Sequence, residues 1–269
     1  MKDNAQPSVV VTDKTGSKNF DYCADQYNAL GELDIFKYCD KPTLLQLIGD
    51  LRNQTCLDLG CGDGIITRLI KQHNQPSRLV AIDISDNMIQ LANSIEAQEP
   101  LGITYQLGDI YQLDLQEQFD CAIVSFLLSI AHNRDNLAEM LNRIYAHLKP
   151  GGKMIILDDN IFLEPKDYPK LVKYNFYKKK ISSPGVDEIK EGDLVECRLD
   201  CNGEWIEVIE THLPKSSWQE AMENTGFVEI TRHRLVVNEE GLAKHGASFW
   251  QDYVELPVTQ LLTASKPNR

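Results

Sequence analysis

The sequence predicts an α/β protein in which helices cover both faces of a parallel sheet. Strand-like and helix-like segments alternate from about Thr43 to residue 158, and this alternation is typical of such a sheet. The first strand-like segment, 55–59, leads through a glycine-rich turn into a helix. The second, 78–83, ends in an aspartate, at the sheet edge where doubly wound proteins bind ligands.

The individual elements follow from the spacing of apolar residues. Helical spacing predicts helices over 43–51, 64–72, 86–95 and 135–148. Short apolar runs between them predict strands over 55–59, 78–83, 103–109, 119–128 and 153–158. Near the end of the chain we expect a helix over 216–226, stopped by Gly226, and strands over 227–237 and 258–265.

A middle segment interrupts this alternation. Two strand-like runs flank Asn202 and Gly203, a dipeptide that strongly favours a hairpin turn. We therefore expect residues 161–213 to form an inserted cap over the ligand edge of the sheet, with the core built from 20–160 and 214–269. The polar residues 1–19 are expected to be flexible.

The composition limits the classes of function. The chain has 269 residues, with 27 Lys and Arg against 40 Asp and Glu, so its formal net charge is −13. This acidic excess disfavours binding to nucleic acid or to an anionic membrane, both of which require basic surface. No apolar run approaches the roughly 18 residues of a membrane span. Seven cysteines without paired spacing favour a reducing compartment, so we expect a cytoplasmic protein with no metal site.

The turn after the first predicted strand reads Leu-Asp-Leu-Gly-Cys-Gly-Asp-Gly over residues 57–64. Its glycines let the backbone approach a ligand closely. The spacing is GxGxG, whereas a dinucleotide fingerprint would need a glycine at position 65, where this chain has Ile65. No Lys-Ser or Lys-Thr pair follows, so a phosphate-binding loop is disfavoured as well.

Polar and apolar residues at the next two strand ends complete a predicted pocket. Asp83 is placed to accept hydrogen bonds from both hydroxyls of a ribose. Ile84 and Met88 follow it and offer apolar surface for an adenine, while Asp109 could accept from its exocyclic amine. The pattern predicts a site for a nucleoside that lacks phosphates.

With these motifs, the sequence resembles the class I S-adenosylmethionine-dependent methyltransferases. The resemblance covers about residues 20–160 and the two closing strands, and includes Ala-Ile-Asp-Ile-Ser-Asp-Asn-Met (81–88) and Leu-Lys-Pro-Gly-Gly (148–152). It implies a Rossmann-like, seven-stranded sheet of order 3-2-1-4-5-7-6 with the last strand antiparallel. The cofactor would be S-adenosylmethionine.

The family's roles transfer onto this chain motif by motif. The resemblance implies that Asp58 organises the methionyl moiety, and that further residues line the rest of the cofactor. These are Gly60, Cys61 and Gly62 at the methionyl moiety, Asp83 at the ribose, Ile84, Met88, Asp109 and Ile110 at the adenine, Ser125 beside the methionyl amine, and Tyr22 and Tyr27 closing over the cofactor. The alternative interpretation is structural for Gly64, which would permit close helix packing, and for Asp58, which would bind local amides.

Two histidines are candidates for a general base in methyl transfer. His132 follows the fourth strand at the ligand edge, and His212 ends the second strand of the predicted hairpin. A loop hydrogen bond is the alternative role for His132. For each aromatic residue that could form a substrate wall, namely Trp205, Trp218, Phe126 and Trp250, core packing is the commoner explanation.

The remaining question is the methyl acceptor. The cap hairpin and residues 249–257 resemble the small-molecule branch of the family, including toxoflavin-type N-methyltransferases, so we expect N- or O-methylation of a metabolite. Six lysines against one aspartate over 166–180 leave open a small anionic acceptor, although a solvated helix face explains them better. Two alternatives are a protein or tRNA methyltransferase, and a cofactor-binding sensor or partner subunit without catalysis. The oligomeric state is open.

Overall fold

The computed structural model describes residues 31, 33–182, 188–201 and 204–268. The expectations for residues 1–19, for Tyr22 and Tyr27, and for the turn at Asn202 and Gly203 lie outside these ranges. The side chain of Trp205 is not described either.

A seven-stranded sheet forms the centre of the described chain and confirms the predicted α/β class. Five strands pair in parallel, and the last strand in the sequence runs antiparallel to both of its neighbours. The strands are β1 (Thr55–Leu59), β2 (Arg78–Asp83), β3 (Ile103–Leu107), β4 (Phe119–Ser125), β5 (Leu148–Asp159), β9 (Val228–His233) and β10 (Thr259–Ser265). Their order is β3-β2-β1-β4-β5-β10-β9, which is the predicted order 3-2-1-4-5-7-6 when the strands of this sheet are counted alone.

Helices connect the strands and begin or end at residues suited to those positions. They are α1 (Lys41–Ile48), α2 (Ile65–His73), α3 (Asp86–Gln98), α4 (Arg134–Ala146), α5 (Lys215–Thr225), α6 (Glu239–His245) and α7 (Ala247–Glu255). The hydroxyl of Ser85 accepts from the Met88 amide at the start of α3, and Asn133 caps α4 in the same way. Gly226 adopts a left-handed conformation, φ +105°, at the end of α5, as the sequence predicts.

Both faces of the main sheet are buried. Alternate residues of β1 and β2 belong to two separate apolar clusters, with Cys56 and Leu79 in one and Leu57 and Val80 in the other. This is the burial expected for a parallel sheet covered by helices on both sides. Among the helices within the described ranges, none combines the length and apolar character of a membrane span.

Several boundaries differ from those predicted. β4 ends at Ser125, three residues early, because Phe126 has a left-handed backbone (φ +50°) and its amide donates to the Leu157 carbonyl at 2.8 Å. β9 ends at His233, and the sequence did not predict α6 and α7 after it.

A second, antiparallel sheet lies between β5 and α5 in the sequence. It contains β6 (Phe176–Lys180), β7 (Leu194–Cys201) and β8 (Glu204–Thr211), in the order β6-β7-β8. We call it the cap sheet. The interpretation of residues 166–180 as a solvated helix face is wrong, because a 3₁₀ helix covers only Pro165–Tyr174 and the last three lysines lie on β6. Alternation along β6 places Lys178 and Lys180 on one face and Lys179 on the other, and Lys178 is buried while Lys179 is exposed.

Candidate functional site

A cavity of about 1320 Å³ opens at the carboxyl edge of the main sheet. The glycine turn after β1 and the ends of β2, β3 and β4 line one side of it. Residues of the cap sheet and of the segments before α1 and β10 line the other side. We call these two sides the turn side and the cap side.

The glycine turn requires its glycines for two different reasons. Gly60 has φ +75°, and a Cβ atom there would lie 2.9 Å from the carbonyl oxygen of Ser125. Gly62 has φ +54°, and a Cβ atom there would meet nothing within 4 Å. Gly60 therefore permits the close approach of β1 and β4, whereas Gly62 leaves space on the cavity wall.

The carboxylate of Asp83 holds this turn against the end of β2. The Gly62 amide donates to Asp83 Oδ2 at 2.8 Å, and the Ser85 amide donates to Oδ1 at 2.9 Å. These bonds fix the carboxylate at the cavity wall. Ile84 and Met88 line the cavity beside it and provide apolar surface.

The loop after β3 contributes the next part of the wall. Asp109 Oδ1 accepts from the Tyr111 amide at 2.9 Å, which orients the side chain at the start of a short 3₁₀ helix. Asp109 and Ile110 both line the cavity. A carboxylate next to an apolar side chain is suited to an adenine, which combines a flat apolar ring with an exocyclic amine.

Asp58 lies beneath the turn and does not line the cavity. It is fully buried, its Oδ2 accepts from the Thr67 hydroxyl at 2.6 Å, and its Oδ1 has no hydrogen-bond partner among the described residues. Burial raises the pKa of Asp58 to about 7. The hydrogen bond to Thr67 supports a structural role. The unpartnered oxygen is compatible with the predicted organising role.

The cavity therefore brings together most of the predicted cofactor residues. These are Gly60, Cys61, Gly62, Asp83, Ile84, Met88, Asp109, Ile110 and Ser125. Gly64 is explained by packing, as its alternative interpretation held, because a Cβ atom there would collide with the ring of Tyr105 on β3.

The two candidate bases lie in different places. His132 lines the cavity, half-buried, in the loop before α4. The structure does not bring His212 to the cavity: its Nδ1 is 2.9 Å from the Ile161 carbonyl oxygen, so this nitrogen carries the proton. Burial lowers the pKa of His212. His212 is therefore a buried, hydrogen-bonded residue beside the cap sheet, and its geometry gives no support to a catalytic role.

The aromatic candidates lie in two different environments. Phe126 lines the cavity, whereas Trp218 and Trp250 are buried in the apolar core.

Sequence reasoning missed the polar residues on the cap side. Asp159, Cys197 and Glu210 line the cavity, and their ligand atoms lie within 4.8 Å of one another. Asp40 also lines it and accepts from the hydroxyls of Tyr253 and Thr259. The alternation on β8, where Ile206, Val208 and Glu210 share a face, is the pattern that could have identified Glu210.

Known proteins share these features. The family model described as a methyltransferase domain matches residues 56–152, which include the glycine turn and the ends of β2 to β4. A malonyl-[acyl-carrier protein] O-methyltransferase of Priestia megaterium is 27% identical over 51% of this chain and 48% of its own length. A ubiquinone/menaquinone biosynthesis C-methyltransferase of Klebsiella pneumoniae is 28% identical over 70% of this chain and 71% of its own. The chain thus spans about half the length of the first of these relatives.

Solved structures share the fold. The S-adenosylmethionine-bound amino pentose methyltransferase CalS10 of Micromonospora echinaspora aligns over 90% of this chain and 95% of its own, with a TM-score of 0.57 and 16% identity. The family match shows that residues 56–152 are similar to a methyltransferase domain, and the described chain has the fold of S-adenosylmethionine-dependent methyltransferases. None of the relatives named here is a toxoflavin-type N-methyltransferase, so that branch stays a prediction.

S-adenosylmethionine is the cofactor of this class, and the turn side fits it. The hydroxyl of Ser125 is buried and, among the described residues, has no hydrogen-bond partner, although it lines the cavity. An unpartnered buried hydroxyl beside an open glycine wall indicates that a polar ligand completes the site.

Proposed function

We propose that the protein transfers the methyl group of S-adenosylmethionine to a small molecule held on the cap side of the cavity. The observation that carries this proposal is the continuity of the cavity. The same space is lined by the glycine turn, Asp83 and Ser125 on one side and by the inner face of the cap sheet on the other. The relatives named for quinone and malonyl-[acyl-carrier protein] methylation support a small-molecule acceptor for this chain.

The residues around the cavity would act by binding and positioning. The cofactor, when bound, supplies an electrophilic methyl group on a sulfonium. Asp83 would accept from the ribose hydroxyls, and Ile84 and Met88 would pack on the adenine. The walls of the cavity would exclude water and hold the acceptor near attack distance, which is the largest contribution an enzyme makes to an in-line displacement. His132 is the one candidate base that lines the cavity, so any transfer that needs a proton acceptor would use it first.

The lysines of residues 166–180 do not provide a strong argument for an anionic acceptor. Lys170 pairs with Asp167, Lys173 with Asp252, Lys178 with Asp159, and Lys180 with Asp193. Four of the six lysines therefore face carboxylates within the protein. This pairing removes most of the local positive charge on which that hypothesis depended.

Calorimetry tests the cofactor site. We expect S-adenosylmethionine to bind the full chain and Asp83→Asn to weaken binding about tenfold, because the amide replaces a charged acceptor of ribose hydroxyls. Asp86→Asn is the matched control, since Asp86 lies in the first turn of α3, is exposed and does not line the cavity. Equal affinities for the two variants would contradict the proposed site.

Methyl transfer separates the proposed function from its alternatives. The protein would be incubated with cofactor carrying a labelled methyl group and with metabolite, protein or RNA fractions. We expect label in the metabolite fraction. Label in protein or RNA would support the macromolecular alternative, and cofactor binding without transfer to any fraction would support a sensor.

A further inference from the structure

The part of the cavity lined by the cap sheet is apolar except at one corner. Strand alternation turns Phe176 of β6, Leu199 of β7, and Ile206 and Val208 of β8 toward the cavity. The same inner face carries Lys178, Cys197 and Glu210, and Asp159 meets them from the end of β5. We call Asp159, Lys178, Cys197 and Glu210 the polar corner.

The contacts within the polar corner are short, and its members are almost entirely buried. Lys178 Nζ lies 2.8 Å from Asp159 Oδ1 and 3.6 Å from Glu210 Oε2, with its side chain 1% exposed. The Cys197 thiol donates to Glu210 Oε2 at 3.2 Å. Burying such groups is costly, and three of them, Asp159, Cys197 and Glu210, line the cavity, while Lys178 lies behind them.

A metal ion does not fit this corner well, although Asp159, Cys197 and Glu210 have suitable ligand atoms. The Lys178 ammonium already occupies the position of a cation between the two carboxyl groups. Burial lowers the pKa of Lys178, but the charge of Asp159 and other nearby groups holds it well above its ordinary value. Burial also raises the pKa of Cys197, so beside this ammonium the corner holds a thiol.

The contacts within the corner reach Glu210 through Oε2, and Glu210 also lines the cavity. The Lys178 ammonium has three N–H donors, and the thiol is a further, weak donor. The ammonium also contacts the Asn160 carbonyl at 3.3 Å. Burial raises the pKa of Glu210 well above 4.5, so this carboxyl group can hold a proton and can both donate and accept a hydrogen bond at the cavity wall. A hydroxyl or amine can therefore hydrogen-bond to Glu210, whereas an anion would add a negative charge beside Asp159.

We propose that the polar corner is the subsite for the polar end of the methyl acceptor, and that this acceptor is a largely apolar molecule whose hydroxyl or amine group faces Glu210. The inference rests on the proposed function, because it assigns the acceptor to the cap side. The apolar residues of the cap sheet bind the body of the acceptor, and Glu210 accepts from its protic group.

Matched small probes test the subsite without knowledge of the natural acceptor. The probes are 4-ethylphenol, 4-ethylanisole, 4-ethylbenzoate and hexylamine, and their binding to the full chain would be measured by ligand-observed NMR. We expect 4-ethylphenol or hexylamine to bind about tenfold more tightly than 4-ethylanisole, which lacks the donor, and 4-ethylbenzoate to bind weakest. The preference between phenol and amine distinguishes the two acceptor chemistries.

Two substitutions assign the preference to this corner. Glu210→Leu removes the acceptor, so 4-ethylphenol and 4-ethylanisole should then bind with affinities within about twofold of each other. Glu210→Gln keeps the size and serves if the leucine variant does not fold. Glu207→Gln, on the other face of the same strand and paired with Arg198, should keep the wild-type preference. S-adenosylmethionine should bind all three variants with wild-type affinity.

Four outcomes would overturn the proposal. They are wild-type binding of 4-ethylanisole that equals the binding of both 4-ethylphenol and hexylamine, tightest binding of the benzoate, an unchanged preference in both Glu210 variants, and stoichiometric binding of Zn²⁺ by the wild type. The proposed function fails separately, through absent cofactor binding in calorimetry, so the two failures are distinguishable.

Discussion

The two sides of the cavity are built in different ways. The turn side is built from backbone conformation and from single carboxylates at strand ends, as with Gly60, Gly62 and Asp83. The cap side is built from side chains such as Lys178 and Glu210, which interact across strands far apart in the sequence. The difference indicates that local sequence fixes the turn side, whereas tertiary packing fixes the cap side.

The largest expected effect separates the stability of the cap side from cofactor binding. Lys178→Met leaves Asp159 and Glu210 buried without their ammonium, so we expect the free energy of unfolding to fall by about 3 kcal/mol. Chemical denaturation measures this loss. Cofactor affinity of the folded variant should stay within about twofold of wild type, because Lys178 does not line the cavity.

A double variant checks the cause of that loss. Adding Asp159→Asn to Lys178→Met removes the uncompensated charge, so it should recover part of the lost stability. The contrary outcome is that the stability losses of the two single variants add up to the loss of the double variant. Such additivity would show that Lys178 and Asp159 do not interact energetically.

The second-largest expected effect is a loss of cofactor affinity, caused by a substitution on the turn side. Gly60→Ala forces a Cβ atom to within 2.9 Å of the Ser125 carbonyl at φ +75°, so the turn must shift. We expect affinity for S-adenosylmethionine to fall roughly thirtyfold, equivalent to about 2 kcal/mol of strain and displacement. Calorimetry measures it.

Gly192→Ala is the matched control for that substitution. Gly192 has a similar backbone, φ +87°, but lies in open space before β7 and away from the cavity. Equal loss of cofactor affinity in the two alanine variants would mean that left-handed strain in general, and not the position of the turn, decides binding.

The residues that the sequence singles out on the turn side line one cavity because their determinants are local. The Gly-x-Gly-x-Gly spacing and Asp83 lie within one strand-turn-helix unit and the strand that follows, where chain order and spatial position correspond. The sheet order came from resemblance to a family, and the structure has the same order.

The cap side could not be predicted in the same way. Lys178 belongs to a run of three lysines whose composition indicates a solvated surface, and only the pairing of β6 with β7 buries it. The same holds for His212, whose position in the sequence indicated the cavity while its ring bonds to Ile161. Charge and position do not reveal which face of a strand is covered.

A smaller effect concerns the pH dependence of the turn side. Because burial raises the pKa of Asp58 from 3.8 to about 7, the folded state retains a proton that the unfolded chain releases within that window. The unfolded state then binds fewer protons, so the free energy of unfolding falls as pH rises from 3.8 toward 7. In Asp58→Asn this decline should be shallower by about 1 kcal/mol per pH unit.

Denaturation at several pH values within the window would measure the two slopes. Asp40 and Asp158, whose pKa values burial raises to about 7 and about 6, retain their own contribution in the variant. Asp86→Asn, at an exposed position, should leave the wild-type slope. Identical slopes for wild type and Asp58→Asn would show that Asp58 is ionised in the folded protein throughout.

The smallest effect compares two lysines of the same basic segment. Lys173 pairs with Asp252 at 2.6 Å, yet both side chains are more than one-third exposed, whereas that of Lys178 is 1% exposed. Solvent screens the exposed pair, so Lys173→Gln should lower the free energy of unfolding by less than about 0.5 kcal/mol, and added salt should reduce the difference further. Chemical denaturation in low and high salt measures both. If Lys173→Gln lowered the free energy of unfolding as much as Lys178→Met, burial would not determine how much a lysine of this segment stabilises the protein. The contacts of the polar corner would then be no more stabilising than an exposed ion pair.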